Sequence, residues 1–191
     1  MPGSGDPAER AATLRTPRLV LRPWCAADLA PYAAMNADTQ VRRWFPGTLT
    51  RTESDAQARR LQDQIDAHGF GFWAVEVPGV APFIGFVGLQ HVDAAMPFAP
   101  AVEIGWRLAR DQWGRFYASE AARAALAHGF AALGLAEIVS FAVAGNGASR
   151  RVMERIGMRR DPAGDFDHPA LPDSHPFRRH VFYCIGRPAP R

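Results

Sequence analysis

The chain has little cysteine and no long apolar run, and each of these features argues against a class of protein. Its 191 residues include only two cysteines, Cys25 and Cys184, so neither a disulfide framework nor a zinc site is indicated. No apolar run approaches the about 18–20 residues that span a membrane. The Pro/Gly/charged start also lacks the apolar segment of a signal peptide. The sequence therefore predicts a globular, cytoplasmic protein with no membrane partner.

Blocks of a single charge sign are also missing. The 22 basic residues are scattered singly or in pairs among 19 acidic ones, which leaves a net charge of +3. A basic stripe interleaved with aromatic residues would indicate nucleic-acid binding, and the chain has no such stripe. A ligand that carries several phosphates gives the excess positive charge a simpler use. We therefore expect no nucleic-acid partner.

Hydrophobic periodicity predicts one domain over residues 14–187, behind a disordered tail at 1–13. The clearest strand covers 102–109, where apolar and polar residues alternate. Other strands are predicted at 18–24, 72–77, 82–91, 137–143 and 180–185, and helices start near 28, 52, 118 and 147. Thr52 and Asp55 are expected to cap the second helix. Hairpins followed by a β-α-β unit predict an α/β (α+β) fold: a mixed, mostly antiparallel sheet of six to seven strands with helices on both faces.

Two strand-to-helix turns are candidate ligand sites. The first lies at 113–121, with a glycine at position 114 and with Arg110 and Arg115 beside it. The second has Asn146 and Ser149 at a helix start. A helix start offers unpaired N–H groups and a partial positive charge, which together attract anions. The two turns predict a phosphorylated ligand.

The same segments resemble the GNAT superfamily of acyl-CoA N-acyltransferases, and most closely its ribosomal-protein-alanine acetyltransferase (RimJ/RimL) branch. That branch typically reads E-I-G-[WY]-x-L-x-x-x-x-W-G-[KR]-G-Y-A-[ST]-E-A and then N-x-x-S-x-x-[VL]-[ML]-E-[KR]-[IL]-G-[FM]. The matching residues are 103–121 and 146–158, and residues 14–23 are similar to the branch's usual opening. The resemblance covers roughly residues 14–185. It implies direct transfer of an acetyl group from acetyl-CoA, the cosubstrate, to a primary amine.

The resemblance also implies which residues bind the donor. In this fold two central strands splay apart, and the backbone around Leu108 pairs with the pantetheine arm and the acetyl carbonyl. Asn146 contacts the same arm, and the turn at 112–118 holds the pyrophosphate. The complete set of expected donor residues is Leu108, Arg110, Gln112, Trp113, Gly114, Arg115, Phe116, Tyr117, Ala118, Asn146 and Ser149.

Phe116 departs from the branch pattern, which has glycine or alanine at this position. We favour an arrangement in which the ring turns into the core, because a turn tolerates a β-carbon when φ is negative. The alternative is an altered donor pocket or weakened coenzyme binding.

Glu103, on the polar face of the central strand, is the first candidate for the general base. Its structural alternative is a hydrogen bond to a neighbouring strand or to Arg107. Ser149 matches a serine that the branch uses as a general acid to the thiolate, and its alternative role is helix capping. Asp167 and His168 are secondary candidates for the base, in a segment that shapes the acceptor mouth of family members.

Some family members use a tyrosine as the general acid, but the alternation of Tyr183 with Val181 and Ile185 favours a place in the core for this residue. Three histidines lie near aspartates at 165–180 without the spacing of metal ligands, so no metal is predicted. The expected partners are acetyl-CoA and an amine, either a protein N-terminus or a small molecule; a homodimer stays open. The alternative function is a catalytically silent CoA-binding regulatory module.

Overall fold

The computed structural model describes residues 12–189, so the tail predicted at 1–13 falls almost wholly outside the described residues. The strands are β1 Leu14–Arg15, β2 Val20–Arg22, β3 Phe72–Val77, β4 Ala81–His91, β5 Val102–Leu108, β6 Glu137–Val143, β7 Arg159–Arg160, β8 Phe166–Asp167 and β9 Arg179–Gly186. The α-helices are α1 Leu29–Ala37, α2 Arg51–His68, α3 Tyr117–Ala131 and α4 Gly147–Arg155. Short 3-10 turns precede α1, follow β5 and follow β7.

All nine strands of residues 12–189 join one sheet in the order β1-β2-β3-β4-β5-β6-β9-β7, with β8 also paired to β9. Every pairing is antiparallel except that of β5 with β6. The predicted mixed, mostly antiparallel sheet is confirmed, with nine strands instead of six or seven. The difference comes from β1, β7 and β8, which have two residues each and are too short to show a period of two.

The start of α2 corrects the predicted cap. Thr50, not Thr52, is the N-cap: its hydroxyl accepts from the N–H of Glu53, whose carboxylate accepts from the N–H of Thr50 at 2.8 Å. Asp55 instead pairs with Arg51 one turn away. The capping residue must precede the first helical residue, and Arg51 is already helical.

Helices cover both faces of the sheet. Side chains of β5 at even positions join the apolar face of α3 in one core cluster; its members include Ile104, Leu108, Ala121, Ala122 and Ala125. A second cluster on the opposite face combines α1 and α2 with β3 and β4; its members include Tyr32, Met35, Ala58, Phe72 and Phe86. Tyr183 is buried at 1% exposure, which confirms the predicted core position, and its hydroxyl donates to Glu154 at 2.9 Å.

A gap opens between β5 and β6. The parallel ladder contains a single pair, Glu103 with Val139, and the Ser140 hydroxyl adds one bond to the Ile104 carbonyl at 2.9 Å. The N–H of Ala109 donates toward β4, to Ile84. Because backbone groups alternate along a strand, those of Leu108 face the other way, into the gap, where the carbonyl accepts from the Trp113 indole N–H at 2.9 Å. The splay implied by the resemblance is therefore present.

Candidate active site

One cavity of about 980 Å³ passes through the gap between β5 and β6. Its donor half is lined by the starts of α3 and α4. Its acceptor half, on the opposite face of the sheet, is lined by β3, β4, the loop at 40–46 and the segment at 168–180. Residues 103–108 of β5 line the cavity between the two halves. The fold thus connects two binding spaces at a point where main-chain groups lack a neighbouring strand.

The donor half is built by a tight turn and an uncapped helix. Gly114 has φ 77° in this turn, and a β-carbon there would meet nothing within 4 Å, so backbone conformation rather than space requires the glycine. Phe116 is the N-cap of α3 but makes no side-chain capping bond. The first N–H groups of α3 therefore remain available to an anion.

The expected inward position of Phe116 is wrong. Its φ is 65°, in the left-handed region, and its side chain is 59% exposed. This backbone conformation turns the ring away from the core and toward Arg155, whose guanidinium carbon lies 4.8 Å from the ring centroid. The ring lines the donor half of the cavity. A non-glycine residue in this region carries strain, which is common at ligand-binding turns.

The start of α4 separates the two side chains predicted there. The Asn146 side chain caps the helix and accepts from the N–H of Ser149 at 3.2 Å. Both residues line the cavity. Within residues 12–189 the Ser149 hydroxyl makes no side-chain hydrogen bond, so the capping role belongs to Asn146. The serine hydroxyl is left to face the cavity.

Nine of the expected donor residues line the cavity: Leu108, Gln112, Trp113, Gly114, Phe116, Tyr117, Ala118, Asn146 and Ser149. Arg110 and Arg115 are exposed outside its lining. The basic residues that do line the donor half are Arg151 and Arg155 on α4. Their i, i+4 spacing after the N-cap was the available signal, because such residues share one helix face.

Glu103 lies at the centre of the cavity with a perturbed carboxyl group. Its Oε1 accepts from the Gln90 side chain at 2.7 Å, across the β4–β5 pair. Burial raises the pKa of Glu103 from 4.5 to about 7, and the Gln90 bond opposes that rise. The suggested bond to Arg107 is not formed, since that guanidinium donates to Asn36 at 2.9 Å. A carboxyl group with this pKa takes up and releases a proton near neutral pH.

The acceptor half brings in two histidines. His168 and His180 line it with ring centroids 5.1 Å apart, and burial lowers the pKa of both. The Nδ1 of His180 lies 3.0 Å from the Arg178 carbonyl. A carbonyl only accepts, so this nitrogen carries the proton and Nε2 keeps its lone pair. Asp167 points elsewhere and pairs with Arg178 and Arg179. His180 was not predicted as a site residue, because a histidine on a strand has no spacing signature.

The family of this chain follows from its similarity to known sequences. A sequence model of the acetyltransferase (GNAT) domain matches residues 18–159. The chain belongs to the GNAT acetyltransferase family. An uncharacterized N-acetyltransferase from Bacillus subtilis, YnaD, is 36% identical over 173 residues, which cover 90% of this chain and 95% of that protein. An FsC-acetyl coenzyme A-N(2)-transacetylase from Aspergillus fumigatus is 33% identical over 76% of this chain and 64% of its own length.

Solved GNAT structures share the architecture. A GNAT-family acetyltransferase from Bacillus anthracis superposes with a TM-score of 0.76 and 25% identity, over 92% of this chain and 99% of that one. Mycobacterium smegmatis RimJ, solved in complex with CoA-disulfide, superposes with a TM-score of 0.69 over 92% of this chain and 86% of that one. Its 22% identity shows the shared fold alone.

The residues present fit a coenzyme A thioester, the donor of GNAT enzymes. The uncapped α3 start suits a pyrophosphate, and the gap-facing N–H of Leu108 suits a carbonyl of an extended amide-containing arm, whereas the Leu108 carbonyl accepts from the Trp113 indole N–H at 2.9 Å. Among residues 12–189, no three His, Cys, Asp or Glu side chains are grouped closely enough to hold a metal ion. Within the same residues, no helix is both long and apolar enough to cross a membrane.

Proposed function

We propose that this protein transfers an acetyl group from acetyl-CoA to a primary amine within a ternary complex of enzyme, donor and acceptor. The observation that carries the proposal is the cavity through the β5–β6 gap, which joins the α3 start on one face to Glu103 on the other. Both substrates reach the gap from opposite sides, so no covalent enzyme intermediate is needed. The motif at 103–121 supports assignment of the chain to the RimJ/RimL branch as part of this proposal.

The bound donor supplies an activated acetyl thioester, and the chain's own residues manage protons and charge. The amine nitrogen bonds to the acetyl carbon while the C–S bond breaks. Glu103 takes the amine proton, through water or directly. Ser149 donates a proton to the departing thiolate. Gap-facing N–H groups stabilise the developing oxyanion, a role that typically contributes about 3–4 kcal/mol per donor.

The proton-accepting task depends on the acceptor. An α-amine with a pKa of about 7.7–8.0 is roughly 10–15% neutral at pH 7, whereas a lysine amine is about 0.04% neutral. The difference corresponds to roughly 3.5 kcal/mol. A carboxyl group with a pKa of about 7, such as Glu103, is well matched to an α-amine.

Two further features belong to the proposal. Both cysteines are free thiols, Cys25 exposed and Cys184 partly exposed, which suits the reducing cytoplasm. The excess of arginine within the cavity suits the phosphates of the donor. These two features support a cytoplasmic enzyme with a phosphorylated cosubstrate and leave nucleic acid without a role.

Turnover of acetyl-CoA with a panel of amines, followed by free-thiol release, tests the proposal. We expect release above the hydrolysis rate with at least one primary amine, and intersecting initial-velocity patterns that indicate a ternary complex. Arg59→Gln, an exposed change on α2 outside the cavity, is the control for handling and folding. If the protein binds coenzyme A tightly but releases no thiol from acetyl-CoA with any amine, the proposed enzymatic activity is refuted and a catalytically silent binding module is favoured.

A further inference from the structure

Arg107 is a cavity-lining cation with no anionic partner among residues 12–189. It takes part in none of the salt bridges of this part of the chain. Its Nη1 donates to the neutral Asn36 side chain at 2.9 Å, and its buried Nε makes no hydrogen bond within the described residues. A guanidinium withdrawn from water without a counter-charge lowers stability unless something else compensates.

The surroundings of Arg107 are aromatic and positively charged. Its guanidinium carbon lies 4.2 Å from the ring centroid of Phe45 and 5.2 Å from that of Phe86. Buried Arg42 stacks on the same Phe45 ring at 4.6 Å, so two like charges share one aromatic side chain. Burial lowers the pKa of Arg107 to about 10, and proximity of Arg42 contributes to that decrease. Arg107 thus stays charged at neutral pH.

The charged residues that line the cavity show the same imbalance. Four arginines line it, Arg43, Arg107, Arg151 and Arg155, against a single acidic residue, Glu103. The acceptor half holds Glu103 with Arg43 and Arg107. This arrangement opposes a polycationic acceptor such as a polyamine or an aminoglycoside, because like charges would meet at close range.

The position of Arg107 relates it to the reacting amine. It lies on β5 between Trp106 and Leu108, next to the backbone that faces the gap, and its side chain is on the same face as Glu103. The Cα atoms of Glu103 and Arg107 are about 13 Å apart along the strand. In a free α-amino acid one carbon joins the amine to the carboxylate. A carboxylate bound at Arg107 therefore holds the amine close to the gap.

The remaining donors of the guanidinium suit an anion. Asn36 accepts from Nη1 and Nε is buried, so Nη2, which has no hydrogen-bond partner among residues 12–189, is left to donate to a carboxylate oxygen. One uncompensated positive charge also matches one negative charge. Aromatic residues of the acceptor half surround this point: Trp44, Phe45, Phe72, Phe86 and Phe177. They suit a large apolar or aromatic side chain.

We propose that Arg107 binds the carboxylate of the acceptor and that the acceptor is a free amino acid with a large apolar or aromatic side chain. The inference rests on the proposed acetyl transfer, because the amino acid would occupy the acceptor half of that site. It separates the chain from enzymes that modify peptide N-termini, where an amide replaces the carboxylate next to the amine.

The first experiment compares phenylalanine with phenylalaninamide as acceptors in the thiol-release assay. The amide has the more easily deprotonated amine, since it lacks the carboxylate that stabilises the ammonium form. A preference for the acid therefore runs against amine reactivity. We expect wild-type kcat/KM to favour phenylalanine by about 10- to 150-fold, the range for a hydrogen bond between charged groups. In Arg107→Gln the ratio should fall to about one or below, mainly through a higher KM for the acid, because the amide has the more reactive amine.

The ratio of kcat/KM for phenylalanine to that for phenylalaninamide is measured within each variant. Partial unfolding of a sample lowers both activities equally and therefore does not change this ratio. Arg107→Lys keeps the charge without the planar guanidinium and should give an intermediate ratio. Arg59→Gln should keep the wild-type ratio. Equal use of acid and amide by the wild type, or an unchanged ratio in Arg107→Gln, would overturn the inference. O-phosphoethanolamine as the better acceptor would also overturn it, in favour of a phosphate.

Calorimetry keeps this inference separate from the proposed function. Phenylalanine is titrated into protein saturated with coenzyme A, so no turnover is required. We expect wild-type and Arg59→Gln binding to agree and Arg107→Gln binding to be at least about tenfold weaker. Unchanged affinity in Arg107→Gln would refute the carboxylate site. Absence of thiol release with every amine would instead refute the acetyl transfer, whatever calorimetry shows for Arg107.

Discussion

The Glu103 carboxyl group links the proposed proton transfer to the stability of the fold. In the unfolded chain it ionises near 4.5, and in the folded protein burial moves its pKa to about 7. Between these values the unfolded state loses its proton first, so rising pH favours unfolding. The destabilisation is complete above about pH 7 and absent below about pH 4.5. It amounts to up to about 3 kcal/mol.

Glu103→Gln should therefore stabilise the fold at pH 8 and leave it unchanged at pH 4, because the amide never ionises. Urea unfolding at both pH values measures the difference. In the thiol-release assay the same variant should lose the rise in kcat/KM that the wild type shows across about pH 6–8. The loss should be larger with a lysine-like amine than with an α-amine. Equal losses on both acceptors, with an unchanged pH profile, would mean that Glu103 is structural.

Phe116 has a conformation that glycine adopts at lower cost. A left-handed φ costs a non-glycine residue about 1–2 kcal/mol, and the exposed ring makes no core contact to offset it. Phe116→Gly should raise the free energy of unfolding by up to about 1 kcal/mol, less than the strain because glycine also gains freedom when unfolded. Coenzyme affinity should change by less than about tenfold, since the main-chain donors remain.

Gly114→Ala is the matched control in the same turn. It places a β-carbon at φ 77° where space is free, so it should lower stability by about 1 kcal/mol through backbone strain alone. Denaturant unfolding of both variants measures the free energy of unfolding, which should rise in Phe116→Gly and fall in Gly114→Ala. A loss of more than about 2 kcal/mol in Phe116→Gly would indicate that the ring packs against the fold after all.

Residue type and position along the chain predicted only part of the candidate active site. Glu103 was predicted because it is the acidic residue on the polar face of the clearest strand, and Ser149 because it matches a serine of the branch motif at a helix start. Arg107 carries no such signal. Its partner Asn36 is 71 positions away, and the absence of a carboxylate around it exists only in three dimensions.

Among the elements, strands were easier to predict than the spaces between them. The strand β6 has the predicted bounds, and β5 ends at Leu108, one residue before the end that apolar alternation predicts. Their separation after the pair Glu103 and Val139 was implied only by the resemblance. Alternation of apolar and polar residues indicates which face of a strand is buried. It does not indicate whether the backbone of that strand is paired with a strand on each side.

The start of α4 allows its capping and catalytic roles to be tested separately. Asn146→Ala removes the capping oxygen and should lower the free energy of unfolding by about 1 kcal/mol. Ser149→Ala removes a hydroxyl without a side-chain bond in the described chain and should leave stability within about 0.5 kcal/mol. Turnover should fall in Ser149→Ala more than coenzyme affinity does, if the hydroxyl protonates the thiolate. Near-normal turnover would assign that proton to water.

At the scale of the whole molecule, the donor half was more predictable than the acceptor half. The turns at 113–121 and 146–158 carry a motif, because main-chain geometry there is fixed by the shared donor. The acceptor half combines β3, β4, the loop at 40–46 and the segment at 168–180, which meet only after folding. Side chains rather than backbone line it, so each member of the family can build it differently.

Donor binding should therefore stabilise the entire fold. A ligand that binds only the folded state at 100 times its dissociation constant adds about 2.7 kcal/mol. For a chain of this size that corresponds to a rise in Tm of about 5–10 °C. Differential scanning fluorimetry with and without coenzyme A measures the shift. Each variant is compared with its own ligand-free Tm, so intrinsic destabilisation does not enter the result.

Gly114→Glu decides whether the shift arises at the α3 start. The carboxylate would repel the pyrophosphate beside the uncapped N–H groups, so this variant should lose nearly all of the shift at the same coenzyme concentration. Arg59→Gln should keep the full shift, because its side chain is exposed outside the cavity. An undiminished shift in Gly114→Glu would move the donor site away from this turn, and with it the direction from which acetyl-CoA reaches the gap.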